Sequence, residues 1–550
     1  MRPCTVSFAL LAALLPLAAR AQHEDHHPAR AAAPRLGTVT FPNSGARAAQ
    51  APFLLGVALL HSFEYEDAAD QFRAAQRADS NFALAYWLEA VTYSQVLWGV
   101  DDPVSARRAL ARLAPTAGAR LAKAQTPRER EYGAAVEAYF ADTDVGTRVR
   151  GFADSMRALA DRHPDDLEAS AFASIAIQMA VPSLPADQRH AAEERAIAFA
   201  ERVFTANPNH PGAAHYLIHI SDMDAAFAER ALPAARAYAK IAPDAEHALH
   251  MPSHVFLKLG MWDDDVSSNE RAWAASRAWV AKRGLTGADL DFHGFEWLQY
   301  GYLEEGRWRA ARALIDTARM VLAGVNLETA EHVDARYVIS EMEFMYAVET
   351  GQWAEVRDTV RLQAPPGPSV AANREASALL RARYQRAVTA AMRGDASRLD
   401  STARAIAGDP DSLPRPGARP LLTMLGLYLG SLSSRASGDQ ARMLARLQRA
   451  ANAEANVPNG GPMWFVSPLE SLGATLVAAG RPREAIDAYE RALAHAPNRS
   501  SALLGLARAR AAAGDRSGAA DAYRRLMLNW AHADADLPAL AEARLGAQQR

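Results

Sequence analysis

The segment SPLESLGATLVAAGRPREAIDAYERALAHAPNR (467–499) runs straight into SSALLGLARARAAAGDRSGAADAYRRLMLNWAHA (500–533), and the two lines superpose. Gly480, Ala485 and Tyr489 return as Gly514, Ala519 and Tyr523, each 34 residues further on. A fixed period of this length marks stacked supersecondary units rather than one globular core. Within each copy, apolar residues at helical spacing flank a glycine, which predicts two helices and a turn. Gly480 is expected to end the first helix and Pro497 the second. Small residues (Gly473, Ala485, Ala492) let the two antiparallel helices approach closely. Neither helix can bury its apolar stripe alone, so neighbouring units must stack.

Leu472, Gly473, Gly480, Ala485, Tyr489, Ala492 and Pro497 together resemble the tetratricopeptide repeat (TPR) family, whose unit is a helix-turn-helix of 34 residues. Drifted copies follow the same register upstream. APFLLGVALLHSFEYEDAADQFRAAQRADS (51–80) aligns through Leu55, Gly56, Ala68, Phe72 and Ala75. GMWDDDVSSNERAW, EEGRWRAARALIDTAR and ETGQWAEVRDTV each pair a glycine and an aromatic with an amphipathic second helix. Period-2 alternation is nearly absent, so the expected fold class is all-α, an α-solenoid of TPR-like units. Phrases such as HYLIH, HMPSH and LLGLARA are also similar to exported bacterial TPR proteins with no assigned biochemical role.

The opening MRPCTVSFALLAALLPLAARAQ has one early basic residue, a short apolar run and a small-x-small site at Ala19 to Ala21. It reads as a signal peptide cleaved after Ala21, which predicts a periplasmic or secreted protein. The one cysteine, Cys4, falls inside that segment, so thiolate ligands, cysteine nucleophiles and disulfides are excluded from the processed chain. With 60 basic and 63 acidic residues, a net charge of −3 and no long single-sign run, the chain offers nothing to nucleic acid or an anionic membrane. No apolar run is long enough for a membrane span. Pro/Gly-rich breaks at 363–369, 408–420 and 456–468 mark bends. The expected organisation is a signal peptide over 1–21, a flexible leader over 22–48 and an N-terminal array over 49–400. An irregular helical connector over 401–465 and a C-terminal repeat pair with a terminal helix over 466–550 complete it.

The resemblance implies that the first helix of each unit lines a concave groove, with inward positions on one helical stripe. Taking Gly260 and Gly306 as turn glycines puts His247, His250 and His254 on that stripe in one unit, and His293, Glu296 and Tyr300 in the next. The unit before contributes His215, His219 and Asp222. Imidazoles are the commonest metal ligands, and the spacing of His215 with His219 is that of helical zinc sites. A divalent metal such as zinc, held by His215, His219, His250, His254 and His293, is therefore one reading, with hydrolysis by a metal-activated water as its catalytic extension. The other is a scaffold that binds a protein, peptide or small ligand in the groove, the histidines holding repeats in register through hydrogen bonds to Asp222, Glu296 or Tyr300. Pro252 is expected either to kink its helix or to start a new one beyond His250.

Other features carry less. Asp263, Asp264 and Asp265 lack the ligand spacing of a calcium loop and read as a solvated turn. His23, His26 and His27 sit in the leader. Trp87, Trp262, Trp297 and Trp308 read as packing between repeats, and His163 and His210, each before a proline, as turn punctuation. No GxSxG elbow, phosphate-binding glycine loop or HExxH is present. A carboxylate clamp would need lysine, arginine and asparagine on the inner face. The C-terminal pair offers Glu470, Ala474, Leu504 and Arg508 instead.

Overall fold

A computed structural model describes residues 34–549, except 96, 98–99, 142, 224, 328–332, 358–369, 409–418 and 459. Within helices, the side chains of 222, 223, 225, 333–334 and 370–375 are also left undescribed. The expected signal peptide, His23, His26 and His27, and most of the breaks at 363–369 and 408–420 lie outside the described residues.

The repeat period becomes helices Pro468–Ala478, Pro482–His495, Ser500–Ala512 and Arg516–Asn529, closed by Leu540–Ala547. Pro468 and Pro482 occupy the first turn of their helices, where the missing N–H costs nothing. Gly480 and Gly514 adopt left-handed φ values of 71° and 84°, the conformation that ends the first helix of each unit. The close approach is visible at Tyr489. A Cβ on Gly473 would lie 2.6 Å from its ring, and one on Gly505 would lie 2.2 Å away. Any side chain there would push the three helices apart.

The same hairpin logic runs back to the start of the array. Helices Arg47–His61 and Tyr65–Ala78 pair with Gly56 against the ring of Phe72, where a Cβ would be 2.7 Å away. Strand is confined, among the described residues, to one antiparallel pairing of Ser94–Gln95 with Val100–Asp101. The fold is all-α, an α-solenoid, as the sequence predicts. No described helix is long and apolar enough to cross a membrane.

Two parts differ from the expected organisation. The segment read as a flexible leader is extended from residue 34 to 46 and pinned to the array: Thr38 N–H donates to Asn209 O at 2.9 Å, Thr40 N–H to Glu168 Oε1 at 3.2 Å, and Ser44 N–H to Glu129 Oε1 at 2.6 Å. Acceptors from distant repeats satisfy backbone groups of a segment that forms neither helix nor strand. The segment read as an irregular connector contains a regular hairpin, Pro420–Ala436 with Gln440–Glu454.

The apolar core falls into two parts. One gathers residues from Leu36 to Phe256, the other from Leu257 to Ala543. The division therefore lies inside helix Pro252–Leu259. The superhelix also brings the C-terminal repeats back onto this region. Trp262 Nε1 donates to Asn498 O at 3.0 Å, and Ser500 N–H donates to Glu304 Oε2 at 2.7 Å.

Candidate metal centre

Helix Pro211–Met223 carries His215 and His219 one turn apart. The HALHMPSHVF stretch forms two short helices, Glu246–His250 and Pro252–Leu259. Pro252 starts the second, and His250 closes a preceding helical turn rather than lying on a loop. Met251 keeps right-handed helical angles (φ −50°, ψ −37°), so the chain breaks its hydrogen-bond ladder without changing course. Gly260 and Gly306, at φ 64° and 68°, are the left-handed turn glycines that the register assumed. Helix Phe292–Glu304 supplies His293.

Six of these histidines form two triads. His215, His219 and His247 make one, His250, His254 and His293 the other, and within each the candidate ligand atoms lie within 4.8 Å of one another. His247 Nε2 faces His215 Nε2 at 3.1 Å, and His250 Nε2 faces His254 Nε2 at 2.9 Å. Nitrogens bound to one tetrahedral ion at about 2.0–2.1 Å would stand about 3.3 Å apart. The triads adjoin: the rings of His219 and His254 are 6.1 Å apart and those of His247 and His250 6.2 Å.

The far nitrogens are held. His215 Nδ1 lies 2.6 Å from the backbone oxygen of His61, an acceptor only, so Nδ1 carries the proton and Nε2 the lone pair. His250 Nδ1 lies 2.7 Å from Asn269 Oδ1, and Asn269 Nδ2 donates in turn to Asp265 O at 3.0 Å. Fixing the tautomer in this way is how proteins orient metal-ligating imidazoles. Burial, and then the neighbouring imidazoles, push His215 and His247 well below the usual histidine range. Both are neutral at pH 7, the state that binds metal.

Aromatic side chains wall the cluster. Phe63, at a left-handed φ of 59°, packs on His215, His219 and His247 with centroids 4.3, 5.3 and 5.6 Å away. Trp297 stacks on His254 at 4.2 Å. Gly294 leaves room for His250, since a Cβ there would sit 3.1 Å from its Nδ1. His215, His247, His250 and His254 are buried, His219 is half-buried and His293 is exposed, which opens the cluster to solvent on one side.

The remaining residues of the predicted inner stripe go elsewhere. Asp222 lies in helix Pro211–Met223, but its side chain is outside the described residues. Glu296 is half-buried and joins neither triad. Tyr300 belongs to a different cluster, in which Arg499 donates to Tyr300 OH at 3.0 Å and to Glu304, Glu349 and Glu470 at 2.5 Å each. At Tyr300 the inner face is covered by the C-terminal repeat. Asp265 is buried against Asn269, contrary to the solvated turn expected for Asp263 to Asp265.

A third cluster, His61, Glu168 and His210, escaped the sequence reading. Its geometry has metal-like spacing, yet its hydrogen bonds close on themselves. Glu168 accepts from His61 Nε2 at 2.7 Å and His210 Nε2 at 3.3 Å, while Tyr216 OH meets His61 Nδ1 at 2.8 Å and Ala213 N–H donates to His210 Nδ1 at 3.1 Å. All four ring nitrogens are engaged within the protein. Burial pushes the Glu168 carboxyl up, but His210 and His61 more than offset this and hold it below the usual range. His210 lies in the turn before helix Pro211–Met223, as expected, and its buried ring is in addition a member of this network. Gly212 makes room for this cluster, since a Cβ there would lie 2.5 Å from His61 Nδ1.

Residues 476–543 match the tetratricopeptide repeat family model. This stretch is a tetratricopeptide-repeat segment. Two solved structures are similar to the chain at low identity. A human IFIT1 dimer with PPP-AAAA is 11% identical with a TM-score of 0.35, over 85% of this chain and 94% of that one. The TPR domain of P58(IPK) is 14% identical with a TM-score of 0.19, over 91% and 99%. Among curated proteins no sequence matches. TPR arrays are interaction modules that commonly bind proteins or peptides.

Proposed function

We propose that this TPR protein binds a divalent transition metal inside its solenoid, through His215, His219 and His247 and through His250, His254 and His293. The observation that carries the reading is the pairing of an Nε2 to Nε2 approach of 2.9–3.1 Å with an Nδ1 anchored on oxygen, present in both triads. Imidazole ligands without thiolate suit zinc, copper, nickel or cobalt better than magnesium or calcium. Each triad supplies three ligands and leaves a position for water or substrate, which is also what metal-assisted hydrolysis requires. A periplasmic or secreted location is supported by the signal-like residues 1–21. Binding of a partner would then use the outer surfaces or the part of the groove that Arg499 leaves open.

The test is metal content by mass spectrometry on untagged protein, before and after incubation with zinc, beside a His219→Ala/His254→Ala variant whose helicity is checked by circular dichroism. Near-stoichiometric metal in the parent and its loss in the folded variant are expected. A parent that takes up no divalent ion overturns the proposal.

A further inference from the structure

We infer that the centre is dinuclear: one ion per triad, two copper ions being the pair that fits, with a small oxygen ligand bridging them. The inference rests on the metal-binding reading above. Each triad is complete by itself, because each contains an i, i+4 pair and a third imidazole from a further helix: His215 and His219 within helix Pro211–Met223 with His247, and His250 and His254 across the Met251–Pro252 break with His293. The two are nearly equivalent in design. Each also has one ligand whose Nδ1 is tied to an oxygen. One ion shared by all six rings would leave half of these arrangements without purpose.

The spacing between triads is that of neighbours across a bridge. Ring centroids of 6.1 Å (His219 to His254) and 6.2 Å (His247 to His250) place the triads in direct contact. Two-metal sites hold their ions about 3.5–4 Å apart, with one oxygen between them. Among the described residues neither triad includes a carboxylate. The bridge in this inference comes from solvent, a bound water losing one proton to bulk to become hydroxide. His293 and His219, the least buried members, give it access. An all-imidazole set with three ligands per ion suits copper, which heads the affinity order for nitrogen donors. The Phe63 and Trp297 walls keep the surroundings apolar, which controls solvent access and redox potential.

The experiment is copper titration of the full-length processed protein, followed by dialysis against a competing chelator. Total copper is counted by mass spectrometry and unpaired spin by electron paramagnetic resonance. A His219→Ala/His293→Ala variant sets the baseline for copper on the leader histidines. Two coppers per chain above baseline are expected, with most of their spin signal missing because a hydroxide bridge couples the two ions. His293→Ala, at an exposed position, should hold one copper with its full signal, and His219→Ala should do the same from the other triad. One copper in the parent overturns the dinuclear inference and leaves metal binding standing. Two coppers with full signal remove the bridge. Copper no higher than baseline overturns both readings.

Discussion

The backbone oxygen of His61 accepts the Nδ1 proton of His215 at 2.6 Å, across 154 residues of sequence. This bond joins the closed His61, Glu168 and His210 network to the first candidate triad. The residue whose side chain is fully used for structure orients, through its main chain, a residue whose ring is poised for an ion.

The two kinds of histidine cluster should therefore respond differently to mutation. Glu168→Ala removes the shared acceptor of two buried imidazoles and leaves them unsatisfied, at a cost of about 3 kcal/mol or more. Denaturant unfolding should show this loss of stability. Metal content per folded chain should be retained, because no triad ligand has changed; loss of the metal by folded protein would make Glu168 part of the centre.

Asn269→Ala tests the anchor of the second triad. With its Oδ1 gone, His250 is free to change tautomer and rotate, and a lost orienting partner typically weakens metal binding about 10- to 100-fold. Chelator competition measures this directly. An unchanged affinity would mean that the contact to Asn269 does not orient the ligand.

Metal removal should destabilise. An ion that binds the folded state alone adds about 2.7 kcal/mol when its free concentration is about a hundredfold above Kd. Chemical denaturation midpoints should fall on chelation and recover on metal addition. The His219→Ala/His293→Ala variant should show neither change.

The Arg499 cluster predicts a pH dependence of the opposite sign to ordinary acid unfolding. Burial pushes Glu349 up to about 7, although Arg499 pulls it down. Burial likewise raises Glu454 to about 7. A carboxyl raised in the folded state binds more protons there than when unfolded, so its contribution is fully present below its ordinary pKa near 4.5 and is lost as pH rises through 7. The metal-free protein should lose stability from this source between about pH 5 and pH 8. Glu349→Gln, which still offers Arg499 an oxygen, should flatten the dependence; an unchanged slope would remove Glu349 from the account. Arg499→Met, which strands buried carboxylates, should cost about 3–5 kcal/mol.

Much of this was legible in the chain. The C-terminal period fixes the repeat, and the helical stripe brings six histidines together, four registered by Gly260 and Gly306 and two by the unit before, because local turn chemistry sets which face of a helix points inward. What the stripe cannot carry is distance along the superhelix. Tyr300 shares the stripe with His293, but lies two turns away, about 10 Å at 1.5 Å per residue, and there it meets Arg499 from a repeat nearly 200 residues later. His61 and Asn269 were missed for the same reason: a main-chain oxygen leaves no mark in sequence, and an asparagine on a second helix looks like any surface residue. The pinned leader was hidden because its acceptors belong to three different repeats.

The apolar interior changes hands between Phe256 and Leu257, one turn past the Met251–Pro252 break and within the span that bears the imidazoles. Ions bound there would sit on the seam between the two halves of the interior and tie one to the other.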